Sequence, residues 1–269
     1  MSSPELVKTN VKALAFDVFG TVVDWRSSVT SELASLAEAK SSSSATSAAS
    51  SQQQQALARL ASEDWGAFAQ AWRNTYKEFV RSFVPGETPW RDIDTHHLVA
   101  LRGLLRERGL DDVYSEAELL HLSHVWHRLT PWDDSAAGLA RLGHRYVTAT
   151  LSNGNKTLLR DLDDSGPLGF QKIISAEDFK AYKPHPDVYL GAVRELGLKQ
   201  PGDVALVAAH LSDLWAAKQV GLRTVYVERP QEEDWQPGEE RYQQAREWVD
   251  IWVSEGAGGF LAVAEALGI

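Results

Sequence analysis

Asp17, Lys183 and Asp213 are the residues of this chain whose types and placing could do covalent chemistry. Asp17 closes the stretch Val11-Lys12-Ala13-Leu14-Ala15-Phe16-Asp17, and Val18-Phe19-Gly20-Thr21 follows. An apolar run that ends in an acid reads as a buried strand with a carboxylate at its C-terminal end. Such an acid is costly to bury unless it is paired, and on its own it reads as a helix cap or turn residue. Three further segments change that reading. Residues 146–151 run into Ser152-Asn153-Gly154, and residues 204–208 run into Ala209-His210-Leu211-Ser212-Asp213. Between them, Tyr182-Lys183-Pro184-His185 leads into a helix. Singly, Ser152-Asn153 is a cap, Lys183 a surface charge and Asp213 an acid in a first helical turn. The C-terminal edges of strands in an open α/β sheet share one crevice, so these residues are expected to converge on Asp17. A carboxylate kept ionised by a neighbouring cation is a nucleophile.

The elements that position these groups can be read from periodicity. Residues 56–129 show no strand pattern. In that block Trp65, Phe68, Trp72, Tyr76, Phe79 and Phe83 fall three or four residues apart and make one aromatic helix face. Asp94 or Thr95 caps the next expected helix, which stops at Gly109, and Ser115 with Glu118 has capping-box spacing. Residues 41–55 are Ser-, Ala- and Gln-rich without apolar periodicity, and read as a mobile surface insertion without chemistry. From residue 145 the pattern alternates. Strands are expected at 146–151, 172–175, 204–208, 224–227 and 251–253. Helices are expected from Asn155, from Pro186 to Gly197, from Asp213 to Val220 and over 257–267. Residues 229–248 read as a surface loop and a polar helix. Repeated βα units predict an α/β fold, a Rossmann-like doubly wound parallel sheet. Residues 1–24 and 130–269 would form this core, with a helical cap domain inserted at 25–129.

Composition narrows the partners. The chain has 269 residues, 43% hydrophobic and 24% charged, with no cysteine. Disulfides, thiolate nucleophiles and Cys-based zinc sites are therefore excluded, and a cytoplasmic location is the expectation. The start Met1-Ser2-Ser3-Pro4-Glu5 lacks a basic and an apolar region, so no signal peptide is expected. No apolar run approaches the roughly 18 residues of a membrane span. The net charge of −10 disfavours nucleic acid but allows a small anionic substrate, because local charge can oppose the global sign.

Taken together, Asp17-Val18-Phe19-Gly20-Thr21, Ser152-Asn153-Gly154, Lys183-Pro184 and Asp213 resemble the four motifs of the haloacid dehalogenase superfamily. The resemblance runs over nearly the whole chain and is strongest to the type II 2-haloacid dehalogenases, with Tyr182-Lys183-Pro184 and Tyr189 among its signs. It implies a covalent route. Asp17 attacks the α-carbon of a short 2-haloacid, displaces halide with inversion and is left as an ester, which water hydrolyses to the 2-hydroxy acid. Lys183 keeps Asp17 ionised, and Thr21 and Ser152 orient Asp17 or bind the substrate carboxylate. Asp213 places the water or pairs with Lys183. Arg73, after Trp72 on the aromatic helix, receives the halide; otherwise it is a surface arginine whose stem covers apolar neighbours. Asn153 lies beside the substrate, Tyr189 closes the pocket or is a half-buried packing aromatic, and Phe19 and Trp25 are apolar walls. Trp132 lies at a hinge. No cofactor is implied, and a homodimer is permitted.

The superfamily's phosphatases resemble Asp-x-Asp-x-Thr, and their second acid protonates a leaving alkoxide. Here that position is Phe19, which cannot act as an acid. Only Asp213 remains of the paired acids that hold Mg²⁺ in those enzymes, so Mg²⁺ enters only under a phosphatase alternative. A binding protein that keeps the pocket is a further alternative. The chain departs from the dehalogenase pattern at Ala208-Ala209-His210, where Ser-Ser-Asn is usual. His210 acts there as a general base or only fills the asparagine's hydrogen-bonding role. His185 reads as structural.

Overall fold

The computed structural model describes residues 4–44 and 51–269. A short helix, α1 (Pro4–Asn10), leads into β1 (Ala13–Phe16), whose four side chains are all buried. Then come β2 (Val23–Asp24) and the helices α2 (Trp25–Ser44), α3 (Ser51–Ser62), α4 (Trp65–Ser82), α5 (Ile93–Glu107) and α6 (Glu116–Ser123). β3 (Thr130–Pro131) pairs antiparallel with β2. The chain continues as α7 (Ser135–Gly143), β4 (Val147–Thr150), α8 (Lys156–Ser165), α9 (Pro186–Glu195), β5 (Val204–Ala208) and α10 (Leu211–Gln219). It ends with β6 (Arg223–Val227), α11 (Glu240–Trp248), β7 (Ile251–Val253) and α12 (Gly259–Ala266). Two compact units result: Met1–Asp24 with Thr130–Ile269, and Trp25–Leu129. Among the described residues no helix is long and apolar enough to cross a membrane.

The first unit is an α/β domain around a parallel sheet of order β4-β1-β5-β6-β7. From β1 the chain goes out to β4 on one side and returns to β5 on the other. Strand order therefore reverses at β1, and the crevice beyond the C-terminal ends of β1 and β5 is where such sheets bind ligands. The strands are short and largely apolar, as sheets covered on both faces require. Gly138 of α7 packs against α12 so closely that a Cβ would stand 2.3 Å from that of Phe260. This helix and α1 escape a periodicity reading, one through its glycines and alanines and the other through its length.

Residues 172–175 do not form the expected strand. Isolated bridges join Lys172 to Ala149 and Ser175 to Ser152. In between, Thr150 Oγ1 accepts from the Ile174 N–H at 2.9 Å and donates to the Ile174 carbonyl at 3.0 Å. A threonine hydroxyl thus takes up both polar groups that a sheet ladder would have paired.

The second unit consists of helices and their connecting loops among its described residues. Trp72, on the aromatic face of α4, meets Trp126 edge-on at 5.5 Å, and Trp126 stacks on Trp25 and on His97. The cap of α5 is Asp92, which accepts from the Thr95 N–H at 2.8 Å, and not Asp94 or Thr95. Ser115 and Glu118 form the capping box of α6. The expected insertion at 41–55 is helical where it is described, in the last turn of α2 and the first of α3. Flanking helices propagate into serine and glutamine at small cost. Residues 45–50 of that insertion lie outside the described residues.

Candidate active site

Asp17 leaves the sheet at the end of β1, where its N–H still donates to the Val207 carbonyl of β5 (3.0 Å). Only 8% of the residue is exposed. Its carboxylate has a partner on each side. Oδ1 accepts from Lys183 Nζ at 2.9 Å, and Oδ2 accepts from Thr21 Oγ1 at 2.8 Å and lies 3.1 Å from His210 Nδ1. Burial alone pushes the Asp17 carboxyl up. The Lys183 charge, with the His210 hydrogen bond and charge, outweighs burial and holds it far below the usual carboxylate range. Asp17 is therefore an oriented anion that sheds little of its charge at neutral pH.

Lys183 is itself fixed by two acids. Nζ donates to Asp213 Oδ2 at 2.6 Å as well as to Asp17. Burial opposes its charge, but the two carboxylates prevail and raise its pKa above the ordinary lysine value. Its backbone N–H donates to Asn153 Oδ1 at 2.8 Å, so Asn153 acts on the lysine segment. Tyr189 on α9 is fully buried, not half-buried, and its hydroxyl donates to Asp213 Oδ1 at 2.6 Å. His185 caps α9, its Nδ1 accepting from the Asp187 N–H. Ser152 is buried, and its Oγ accepts from the Gly154 N–H at 3.3 Å; it makes no hydrogen bond to Asp17 among the described residues.

The turn after Asp17 explains its small residues. Gly20 has φ +85°, a left-handed conformation that favours glycine. Thr21 Oγ1 accepts from the Ala209 N–H at 2.9 Å while donating to Asp17, and so ties the nucleophile turn to the end of β5. Phe19 is buried, and its ring lies where a Cβ on Gly154 would meet it at 3.0 Å. Trp132 donates its indole N–H to the Gly20 carbonyl at 3.0 Å. Arg229 donates Nε–H to the Thr21 carbonyl and pairs with Asp134 through both terminal nitrogens.

Trp25 and Arg73 belong to the helical unit. Trp25 is buried and stacks on Trp126. Arg73 is 6% exposed, which excludes a surface arginine. Its guanidinium lies 4.6 Å from the Tyr76 ring centre and 5.5 Å from that of Trp25.

Sequence reasoning missed the acids after β6. Glu232 is 6% exposed, and its carboxylate stands over Gly20, where a Cβ would be 2.0 Å from Oε2. Its Oε2 is 3.4 Å from His210 Nε2. The neighbouring Glu233 accepts from the Leu211 N–H at 2.6 Å and the Trp235 N–H at 2.7 Å. The signal was topological. β6 lies beside β5, so residues just past Val227 reach the same sheet edge, although an acidic run there reads as a solvated loop.

Burial opposes protonation of His210, but hydrogen bonds to Asp17 and Glu232, and their charges, push its pKa up from 6.5 to about 10. At neutral pH it is an imidazolium and cannot act as a base while Asp17 is ionised. A group raised in the folded state stabilises fully below its unfolded pKa and loses that contribution as pH rises through the folded value. Urea unfolding is therefore expected to show stability falling between about pH 6.5 and about pH 10. His210→Gln should flatten that fall; an equal fall in the variant would contradict the ion-pair account.

Residues 11–221 match the haloacid dehalogenase-like hydrolases. The chain is 28% identical over 226 residues to the (S)-2-haloacid dehalogenase 4A of Burkholderia cepacia, covering 82% of this chain and 84% of that one. It is similar to a solved L-2-haloacid dehalogenase with a TM-score of 0.74 and 36% identity, over 96% of this chain and 99% of the other. A third likeness is to the Xanthobacter autotrophicus L-2-haloacid dehalogenase with chloropropionic acid covalently bound. There the TM-score is 0.61 and the identity 26%, over 81% of this chain and 77% of that one.

Proposed function

Since this chain belongs to the haloacid dehalogenase-like hydrolases, we propose that it hydrolyses short 2-haloacids to 2-hydroxy acids through an ester on Asp17. The observation that carries this reading is the state of Asp17: buried, anionic, and held on both oxygens at the end of β1. A desolvated, oriented carboxylate is what displacement at carbon needs, since burial strips the hydration that would blunt it. Halide leaves as an anion and needs no proton. Phe19, in the position where an acid would serve an alkoxide leaving group, is consistent with that. The covalently bound chloropropionic acid of the Xanthobacter relative supports the same step.

The donor set also favours a metal-free reaction. Asp17 and Asp213 share one ammonium, Lys183 Nζ, at 2.9 and 2.6 Å. Among the described residues no group of three or more His, Asp or Glu is placed to hold a metal ion. A hard cation would have to displace the lysine and would find few carboxylates around it.

In this reading Lys183 stabilises the attacking anion, and Thr21 and the Ala209 N–H fix its plane. Asp213 and Tyr189 hold the lysine in place. Arg73 is assigned to the departing halide. Its support lies within the helical unit, where a permanently charged guanidinium is buried among aromatic rings.

Halide release from (S)-2-chloropropionate and phosphate release from p-nitrophenyl phosphate, each with and without EDTA, test the reading. Halide release that EDTA leaves unchanged is expected. Mg²⁺-dependent phosphate release without halide release would replace it with a phosphatase.

A further inference from the structure

Hydrolysis of an Asp17 ester requires a group that takes a proton from water. Asp213 is badly placed for this. Its Oδ2 accepts from Lys183 Nζ and its Oδ1 from the Tyr189 hydroxyl, both at 2.6 Å. Both of its oxygens are therefore already occupied by donors. The opposite side of Asp17 is built differently. His210 reaches Asp17 Oδ2 with Nδ1 at 3.1 Å and Glu232 Oε2 with Nε2 at 3.4 Å. Glu232 has no part in carbon–halogen cleavage as described. An acid buried over Gly20 is costly unless it is paired, and the imidazole is its partner.

We infer that His210 and Glu232 form the proton-accepting pair for hydrolysis of the ester, with His210 as the base and Glu232 as the residue that positions its Nε2–H. This rests on the covalent reading above. The groups that face the imidazole are Asp17 at the end of β1, and Glu232 and Glu233 after β6; Lys183 reaches the far oxygen of Asp17. In the resting enzyme the ring is an imidazolium between Asp17 and Glu232. Ester formation turns Asp17 into a neutral acyl group and removes one of the two anions that hold the proton. Nδ1 then gives its proton to solvent, and Nε2–H stays on Glu232. This is the proton that accompanies halide in the net reaction.

Water next attacks Cγ of Asp17 and transfers a proton to Nδ1, leaving a tetrahedral oxyanion. Collapse breaks the bond between Cγ and the oxygen attached to the substrate carbon. The remaining hydroxyl proton passes to the departing alkoxide and gives the 2-hydroxy acid. Asp17 is again a carboxylate beside an imidazolium. The base thus becomes active only once the nucleophile has been esterified, and it cannot neutralise Asp17 beforehand.

Rapid-quench mass spectrometry of the peptide containing Asp17, with (S)-2-chloropropionate and the full chain, tests this pair. Glu232→Gln keeps the shape and an acceptor but removes the charge. His210→Ala leaves Glu232 over Gly20 and gives a result independent of its packing. Both variants should still form ester, because Lys183 and Thr21 continue to hold Asp17 as an anion, and hydrolyse it on the order of 10²-fold more slowly. In Glu232→Gln the pH profile of hydrolysis should move to lower pH, and added imidazole should restore hydrolysis to His210→Ala. Neither effect would follow from a structural role. Ester that forms and is hydrolysed at the wild-type rate in both variants would overturn the pair alone. Halide release with no ester in any of the three proteins would overturn the covalent reading and the pair with it.

Discussion

An Asp17→Asn variant is expected to fold and to lose halide release by about 10⁴-fold or more, the scale on which other hydrolases lose turnover without their nucleophile. The amide has nearly the carboxylate's shape and can still accept from Thr21 or Lys183, so the turn between β1 and β2 should hold. It has no charge with which to attack carbon. The change also removes an anion from His210, so the ring should titrate at lower pH than the about 10 of the parent. Ion chromatography of released halide, with NMR titration of the His210 ring, would measure both effects. Full turnover by the variant would remove Asp17 as the nucleophile.

Lys183→Met is expected to have the second-largest effect, and it differs in kind. The methionine fills much of the lysine stem's volume but leaves Asp17 and Asp213 facing each other without the ammonium that lies 2.9 and 2.6 Å from them. Removing one member of a buried charge cluster costs about 3–5 kcal/mol, because the remaining charges stay desolvated. The wild-type Asp17 pKa is depressed, so its contribution is present above the unfolded value and fades only as pH falls through the folded one. Without Lys183 only His210 and Thr21 still oppose burial, so the folded Asp17 pKa rises from its wild-type value. Destabilisation should then be largest at neutral and higher pH and smaller near pH 4, where the acids protonate. The acid limb of the residual activity should move to higher pH, following the Asp17 carboxyl. Urea unfolding at several pH values and a pH–rate profile would show this. Wild-type stability with an unmoved profile would contradict the role given to the lysine.

The legible parts of this molecule were those where one physical requirement dominates the residue choice. The parallel sheet shows in short, largely apolar runs, since both faces are covered. Asp17, Thr21, Lys183, Tyr189, His210 and Asp213 are joined in one chain of hydrogen bonds because they come together at one sheet edge. The illegible parts arose where tertiary contacts override local pattern. Thr150 pairs with Ile174 through its hydroxyl, so an apparent strand becomes a bridge. Gly138 lowers helix propensity in α7 yet lets Phe260 approach closely. Glu232 lies among Gln231, Glu233 and Asp234, and such a run reads as solvent-facing until the neighbouring strands are known. Asp92 rather than Asp94 caps α5, a difference within the usual uncertainty of helix ends.

His210 shows how a residue type can mislead when its partners are unknown. A histidine at the end of β5 suggests a base near neutrality. Two carboxylates on its two ring nitrogens make it a cation instead, and its basicity depends on what has happened to Asp17. The missing serine at Ala208 is a separate matter, since the Ala209 N–H is taken up by Thr21 and the strand end needs no hydroxyl to hold it.

The most direct test of the central claim, an ester on Asp17, is a single turnover in H₂¹⁸O with enzyme in excess over (S)-2-chloropropionate. The covalent route predicts that the hydroxyl oxygen of the product comes from Asp17 and carries no label. Mass spectrometry of the peptide containing Asp17 should then show one ¹⁸O in its carboxylate. Label in the product hydroxyl and none in Asp17 would mean that water attacks the substrate carbon directly, which would contradict the account.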